Sequence, residues 1–77
     1  MSFRDEALAQ NVRQAISQDR RLGSQSIMVR VANGEIALKG RVDSLEQREL
    51  AKLVAQGVPG VRQVMVDELV VKEDNKA

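Results

Sequence analysis

Between Ile27 and Val42 the chain alternates apolar and polar positions in two runs, I-M-V-R-V-A and E-I-A-L-K-G-R-V, separated by Asn33-Gly34. Period-two alternation marks a half-buried strand. Asn-Gly supplies the two positive-φ positions of a type I′ hairpin turn. That turn sets a register in which Ala32 faces Glu35, Val31 faces Ile36, Val29 faces Leu38 and Ile27 faces Gly40. One side of the hairpin then gathers Ile27, Val29, Val31, Ile36, Leu38, Gly40 and Val42. The other carries Met28, Arg30, Ala32, Glu35, Ala37, Lys39 and Arg41. A slip of one residue would turn Arg30 and Lys39 into the core, so the register is strongly specified. Gly40 shares the inward parity, which predicts that a helix or a neighbouring strand approaches closely there.

On either side of the hairpin the apolar spacing changes to that of a helix. Leu8, Val12, Ala15 and Ile16 recur at helical intervals over about 4–18, with Gln10, Asn11, Gln14, Ser17 and Gln18 opposite. Ser2 or Asp5 is placed to cap this helix, and Asp5 and Glu6 suit the positive end of its dipole. It ends in Asp19-Arg-Arg-Leu-Gly23, with Leu22 tucked under the sheet. Ser44 opens a second helix, and Gln47 stands at capping-box spacing. Leu50, Leu53, Val54 and Leu45 form its expected buried stripe, and Glu46, Gln47, Arg48, Glu49 and Lys52 its wet side. Gly57 is expected to end it in the left-handed conformation, with Val58 meeting Leu53 as in a Schellman motif. Pro59 blocks continuation. A third strand is expected over 61–71, followed by a charged, fraying tail over 72–77.

The predicted order is helix, strand, strand, helix, strand. Each helix has one apolar stripe and the sheet one apolar face. The fold class is therefore α+β, an αββαβ two-layer sandwich with two helices on one face of a three-stranded mixed or antiparallel sheet. The 77 residues make one domain, with an ordered core expected over about 5–71.

Twelve basic residues are interspersed with eleven acidic ones for a net charge of +1, which argues against a strongly electrostatic nucleic-acid binder. Histidine and cysteine are absent, which removes the commonest nucleophilic and zinc chemistries. The remaining carboxylates and lysines occupy no apolar setting that would tune a proton affinity, so no catalytic residue, cofactor or metal ligand is assigned. No apolar run reaches the ~20 residues of a membrane span. Met-Ser-Phe-Arg-Asp-Glu-Ala-Leu has no signal-peptide core, so a native start at Met1 implies the cytosol.

Several segments together resemble a known family: V-R-Q-A-I-S-Q-D-R-R-L over 12–22, I-M-V-R-V over 27–31, N-G-E-I-A-L-K-G-R-V-D-S over 33–44, R-E-L-A over 48–51, G-V-R-Q-V over 60–64 and L-V-V over 69–71. In order and spacing they are similar to the BON domain, named for bacterial osmotically induced and nodulation proteins. The resemblance implies the same element order, with family glycines at Gly34, Gly40 and Gly60. It also implies a non-catalytic, stress-linked module that attaches to phospholipid membranes or cell-envelope interfaces, mostly in the bacterial periplasm. One departure stands out. Val64 and Val66 share one parity, Leu69 and Val71 the other, so V-M-V-D-E-L-V-V holds one residue extra. Both pairs point inward only if the strand bulges near Asp67 and Glu68.

The candidate contact surface is the outer hairpin face, with Met28, Arg30, Lys39 and Arg41 as binding residues and Arg62 and Lys72 as possible neighbours. Cations and apolar side chains on one open sheet suit an anionic phospholipid surface or an acidic envelope protein. A solvated face, with Arg30 paired diagonally to Glu35, explains the same pattern without a ligand. Arg20 and Arg21 suit either a phosphate or the negative end of the first helix. Gly57-Val-Pro-Gly60 matches the G-x-x-G of KH-type RNA binders, but it holds no basic residue and precedes a strand, so nucleic acid is not expected. Asn33, Gly34, Gly40, Gly57 and Gly60 are assigned structural roles. Phe3, the lone aromatic residue, suits the edge of the core, a lipid interface or a free position in solvent, and the core edge is preferred.

Overall fold

The computed structural model describes residues 3–23 and 25–72. Its elements are α1 (Phe3–Gln18), β1 (Ser26–Ala32), β2 (Glu35–Val42), α2 (Leu45–Gln56) and β3 (Gln63–Val71). The strands lie in the order β1-β2-β3, with β1 antiparallel and β3 parallel to the central β2, so the sheet is mixed. Both helices pack on one face, α1 chiefly against β1 and α2 chiefly against β3. Among the described residues no helix covers the reverse face.

The hairpin has the register its sequence demands, with Ile27 opposite Gly40, Val29 opposite Leu38, Val31 opposite Ile36 and Ala32 opposite Glu35. Asn33 and Gly34 take φ of 54° and 83°, the left-handed pair a tight hairpin turn requires. Gly40 has φ of 133°, and a Cβ there would run into the backbone carbonyl of Ser26. The close approach is therefore made by the partner strand.

β3 accommodates its extra residue as expected. Ala37 pairs with Met65 and Lys39 with Glu68, so Val66 and Asp67 together face the single residue Leu38. This is a bulge, uncommon between parallel strands. It resets the parity, so Val64 and Val66 pack inward before it and Leu69 and Val71 after it. The strand begins at Gln63 instead of Val61, because the Arg62 amide turns aside to donate to the Gly34 carbonyl at 2.8 Å.

Leu8, Ala9, Val12 and Ile16 of α1 share one buried core with Val31, Ile36, Leu38 and Val42, and Leu22 closes it at 1% exposure. Each fully buried side chain of this size contributes about 1.5–3 kcal/mol. The second helix buries a different stripe from the one its leucines suggest. Ala51 and Ala55 are fully buried, Leu50 and Val54 pack at their flanks, and Leu45 and Leu53 are 52% and 65% exposed. Small side chains at the contact let α2 lie close to the sheet, and this turns the outer leucines into water.

Other local expectations are also revised. Gly57 ends α2 in the right-handed region, φ −76° and ψ −11°, with its amide shared among the carbonyls of the last turn, so no left-handed cap forms. Ser44 does cap α2, its hydroxyl accepting from the Gln47 amide at 3.3 Å. The Gln47 side-chain oxygen accepts from the Asp43 amide at 2.9 Å, one residue before the usual capping-box partner. Asp5 lies inside α1 and accepts from the Asn33 amide at 3.0 Å, tying the helix to the hairpin turn. Ser2, the other proposed cap, and 73–77 of the proposed fraying tail lie outside the described residues. Lys72 is held, its ammonium donating to Asp43 at 3.4 Å. Phe3 is 89% exposed and takes no part in the core.

Gly40→Val is expected to destabilise the chain by about 3–5 kcal/mol, combining backbone strain with the clash against β1, as read by chemical denaturation. A loss below about 1 kcal/mol would contradict the close approach. In α2, Ala51→Leu should cost about 1–3 kcal/mol by overpacking, and Leu53→Gln should stay within about 0.5 kcal/mol. The opposite ranking would contradict the orientation of this helix.

Candidate functional site

The open sheet face is built row by row from the register. Arg30, Ala37 and Met65 form one row; Met28, Lys39 and Glu68 the next; Ser26, Arg41 and Val70 the third. Met28, Arg30, Lys39 and Arg41 all lie on this face and are exposed, so the fold brings the four sequence-selected residues together. Arg30 and Glu35 form no ion pair within 4 Å among the described residues, nor do Lys39 and Arg41 pair with an acid. The three guanidinium and ammonium groups therefore remain available at a solvated surface.

Val70 and Met65 also belong to this face, Val70 54% exposed and Met65 half-buried. The sequence reading missed both. The bulge at Val66 and Asp67 changes which residues of β3 point outward. Counting Leu69 and Val71 as inward does place Val70 outside.

The remaining candidates separate from the patch. Arg62 lies at the hairpin-turn end, its guanidinium 3.5 Å from the Asn33 carbonyl. Lys72 shares a hollow with Arg41 at the other end, but its ammonium goes to Asp43. Asp43 is a joint of the fold, because its amide also donates to the side-chain oxygen of Gln25 at 3.0 Å. Arg21 is clamped by Asp19 through Nε at 3.1 Å and Nη2 at 2.9 Å. Those hydrogen bonds hold the Asp19 carboxyl below its usual range and raise the Arg21 guanidinium. Arg21 thus closes the turn after α1 instead of waiting for a phosphate.

Gly57-Val-Pro-Gly60 connects α2 to β3, with Gly60 at φ of 97° turning the chain into the strand. A KH-type clamp joins two helices, and this loop does not. Gly60 and Pro59 instead border a hollow of about 560 Å³ with Arg4, Asp5, Asn33 and Arg62. Its walls are pinned by the Asp5–Asn33 and Arg62–Gly34 bonds. Among the described residues no group of three or more acidic side chains gathers as a metal site, and no helix is long and apolar enough to cross a membrane. The accessible chemistry is that of a flat face with fixed cations and apolar side chains, which suits a binding or interaction module.

No curated protein matches the chain. Among solved structures, the fold is similar to the C-terminal domain of CdsD, the structural protein of the type III secretion system of Chlamydia trachomatis. The TM-score is 0.69 at 17% identity, over 87% of this chain and 33% of that one. The present chain thus spans about a third of the length of that solved chain, and at this identity the likeness concerns the fold. The family model of the BON domain matches residues 4–73, nearly the whole chain, in the element order described above, and the protein belongs to the BON domain family.

Proposed function

We propose that this domain is a non-catalytic docking module that attaches to anionic phospholipid surfaces of the cell envelope through its open sheet face. The observation that carries the reading is the set Arg30, Lys39 and Arg41, exposed on one side of the sheet, in no ion pair among the described residues, and flanked by exposed Met28. Near an anionic membrane each such cation contributes about 1 kcal/mol. Met28 and Val70 add apolar contact at the headgroup boundary. The membership in the BON family supports an envelope setting.

A second reading assigns the same face to an acidic protein surface within an assembly. It is favoured by the acids Glu35 and Glu68 among the cations, which give the face a mixed pattern. The likeness in fold to CdsD, a structural protein of a secretion apparatus, points the same way.

Co-sedimentation with liposomes discriminates the two. On the first reading the chain sediments with vesicles containing phosphatidylglycerol and not with pure phosphatidylcholine, and binding weakens as salt rises. Replacing Arg30, Lys39 and Arg41 together by Gln should lower the affinity about 100-fold, three cations at about 1 kcal/mol each. Equal sedimentation with neutral vesicles, or undiminished binding by the triple variant, would contradict the assignment of this face.

A further inference from the structure

Apart from Phe3, the large apolar side chains most exposed on the described chain fall into two pairs on opposite sides of the molecule. Leu45 and Leu53 stand on the outside of α2, and Met28 and Val70 stand on the open sheet face. The two pairs match in spacing. Leu45 and Leu53 are eight residues apart on a helix, about 12 Å at 1.5 Å per residue. Met28 and Val70 sit on the two outer strands, about 9.6 Å apart across β2. Met28 is opposite Lys39, which pairs with Glu68, and Val70 lies two residues further along, about 6.6 Å. The diagonal between them is thus also about 12 Å.

The charges match at the centre of the two lines, although Glu68 lies in the row of Met28 and Lys39. Glu49 lies midway between Leu45 and Leu53 and is exposed. The midpoint of the Met28–Val70 diagonal falls on β2 between Lys39 and Arg41. A leucine–glutamate–leucine line on one side of the molecule therefore corresponds to a methionine–cation–valine line on the other. Glu46 adds a second acid beside Leu45, on the rim of a hollow of about 610 Å³ that Leu50 and Leu53 also border.

We propose that a second copy of this chain occupies the open sheet face, with the outer side of α2 laid along the Met28–Val70 diagonal and Glu49 set between Lys39 and Arg41. The proposal rests on the reading above that this face is a contact surface, and it names an occupant for the assembly reading. The two surfaces lie on opposite sides of the sandwich, so the contact is heterologous. A copy bound through one surface still offers the other, and association continues beyond two. The contact is small, so the association is weak and concentration-dependent.

Sedimentation equilibrium without lipid, from about 10 μM to about 1 mM at low salt, tests this in the range where small interfaces act. The expected mean mass rises above the 8.5 kDa of one copy, passes the dimer without a plateau, and falls back as salt is added. Glu49→Lys alone and Lys39→Glu with Arg41→Glu alone should each abolish the rise, because like charges then meet. Mixing the two variants in equal amounts should restore it, since Lys at 49 meets Glu at 39 and 41. Far-UV circular dichroism checks that each variant is folded, and Leu45→Gln with Leu53→Gln provides an uncharged loss of the same contact. Wild-type chain that stays at one copy throughout, swapped variants that associate like wild type, or a mixture no better than its components would each overturn the proposal. Glu49→Lys leaves the sheet face intact, so liposome binding that survives it while self-association is lost separates this contact from the lipid reading.

Discussion

The register of the β1–β2 hairpin holds the rest of the structure in place. With Val31, Ile36, Leu38 and Val42 buried, Arg30, Lys39 and Arg41 stand in water. A one-residue slip would exchange the two sets, losing about 1.5–3 kcal/mol for each large apolar side chain and burying charges without partners. Gly40 reinforces this choice. The Ser26 carbonyl occupies the space a Cβ would need, so a residue with a side chain cannot take that place in the pairing. Once β2 has a fixed inner face, both helices are confined to that side. β3 can join β2 in parallel only by adding a bulge that brings Val64, Val66, Leu69 and Val71 inward together.

Those features were legible because strand side chains alternate rigidly and because Asn-Gly and glycine at positive φ have few substitutes. The same parity logic exposed the extra residue in β3, whose observed position at Val66 and Asp67 begins one residue before the expected one. The helices were less legible. At 100° per residue, several rotations of α2 bury some apolar side chains, and leucine outweighs alanine in any sequence pattern. Distance to the sheet decides the matter instead. Ala51 and Ala55 fit the narrow gap beneath the helix, and Leu53 is left outside. Local sequence suggests a cap role for Asp5, but its carboxylate accepts from an amide 28 residues away, a relation no local pattern carries.

The candidate surface was legible as a face and incomplete as a set. Parity placed Met28, Arg30, Lys39 and Arg41 together, and the fold agrees. The inward pairs Val64/Val66 and Leu69/Val71 also turn Met65 and Val70 outward, but their place beside the hairpin residues follows only from the pairing of β3 with β2. Arg21 and Lys72 looked like available cations until short-range acids, Asp19 and Asp43, were seen to hold them. The cations left on the sheet form no ion pair within 4 Å among the described residues, even Lys39, whose neighbour in the register is Glu68. That is the physical difference between a cation used by the fold and one open to a partner.

The proposed contact is made through the sheet side that the helices leave bare. Amide-resolved NMR of the chain with nanodiscs of anionic lipid carrying a paramagnetic headgroup measures this residue by residue. Line broadening is expected to centre on Met28, Arg30, Lys39, Arg41 and Val70, with α1 and the loop between α2 and β3 spared. Broadening centred on Phe3 and the start of α1, or on the hollow beside Gly60, would contradict it.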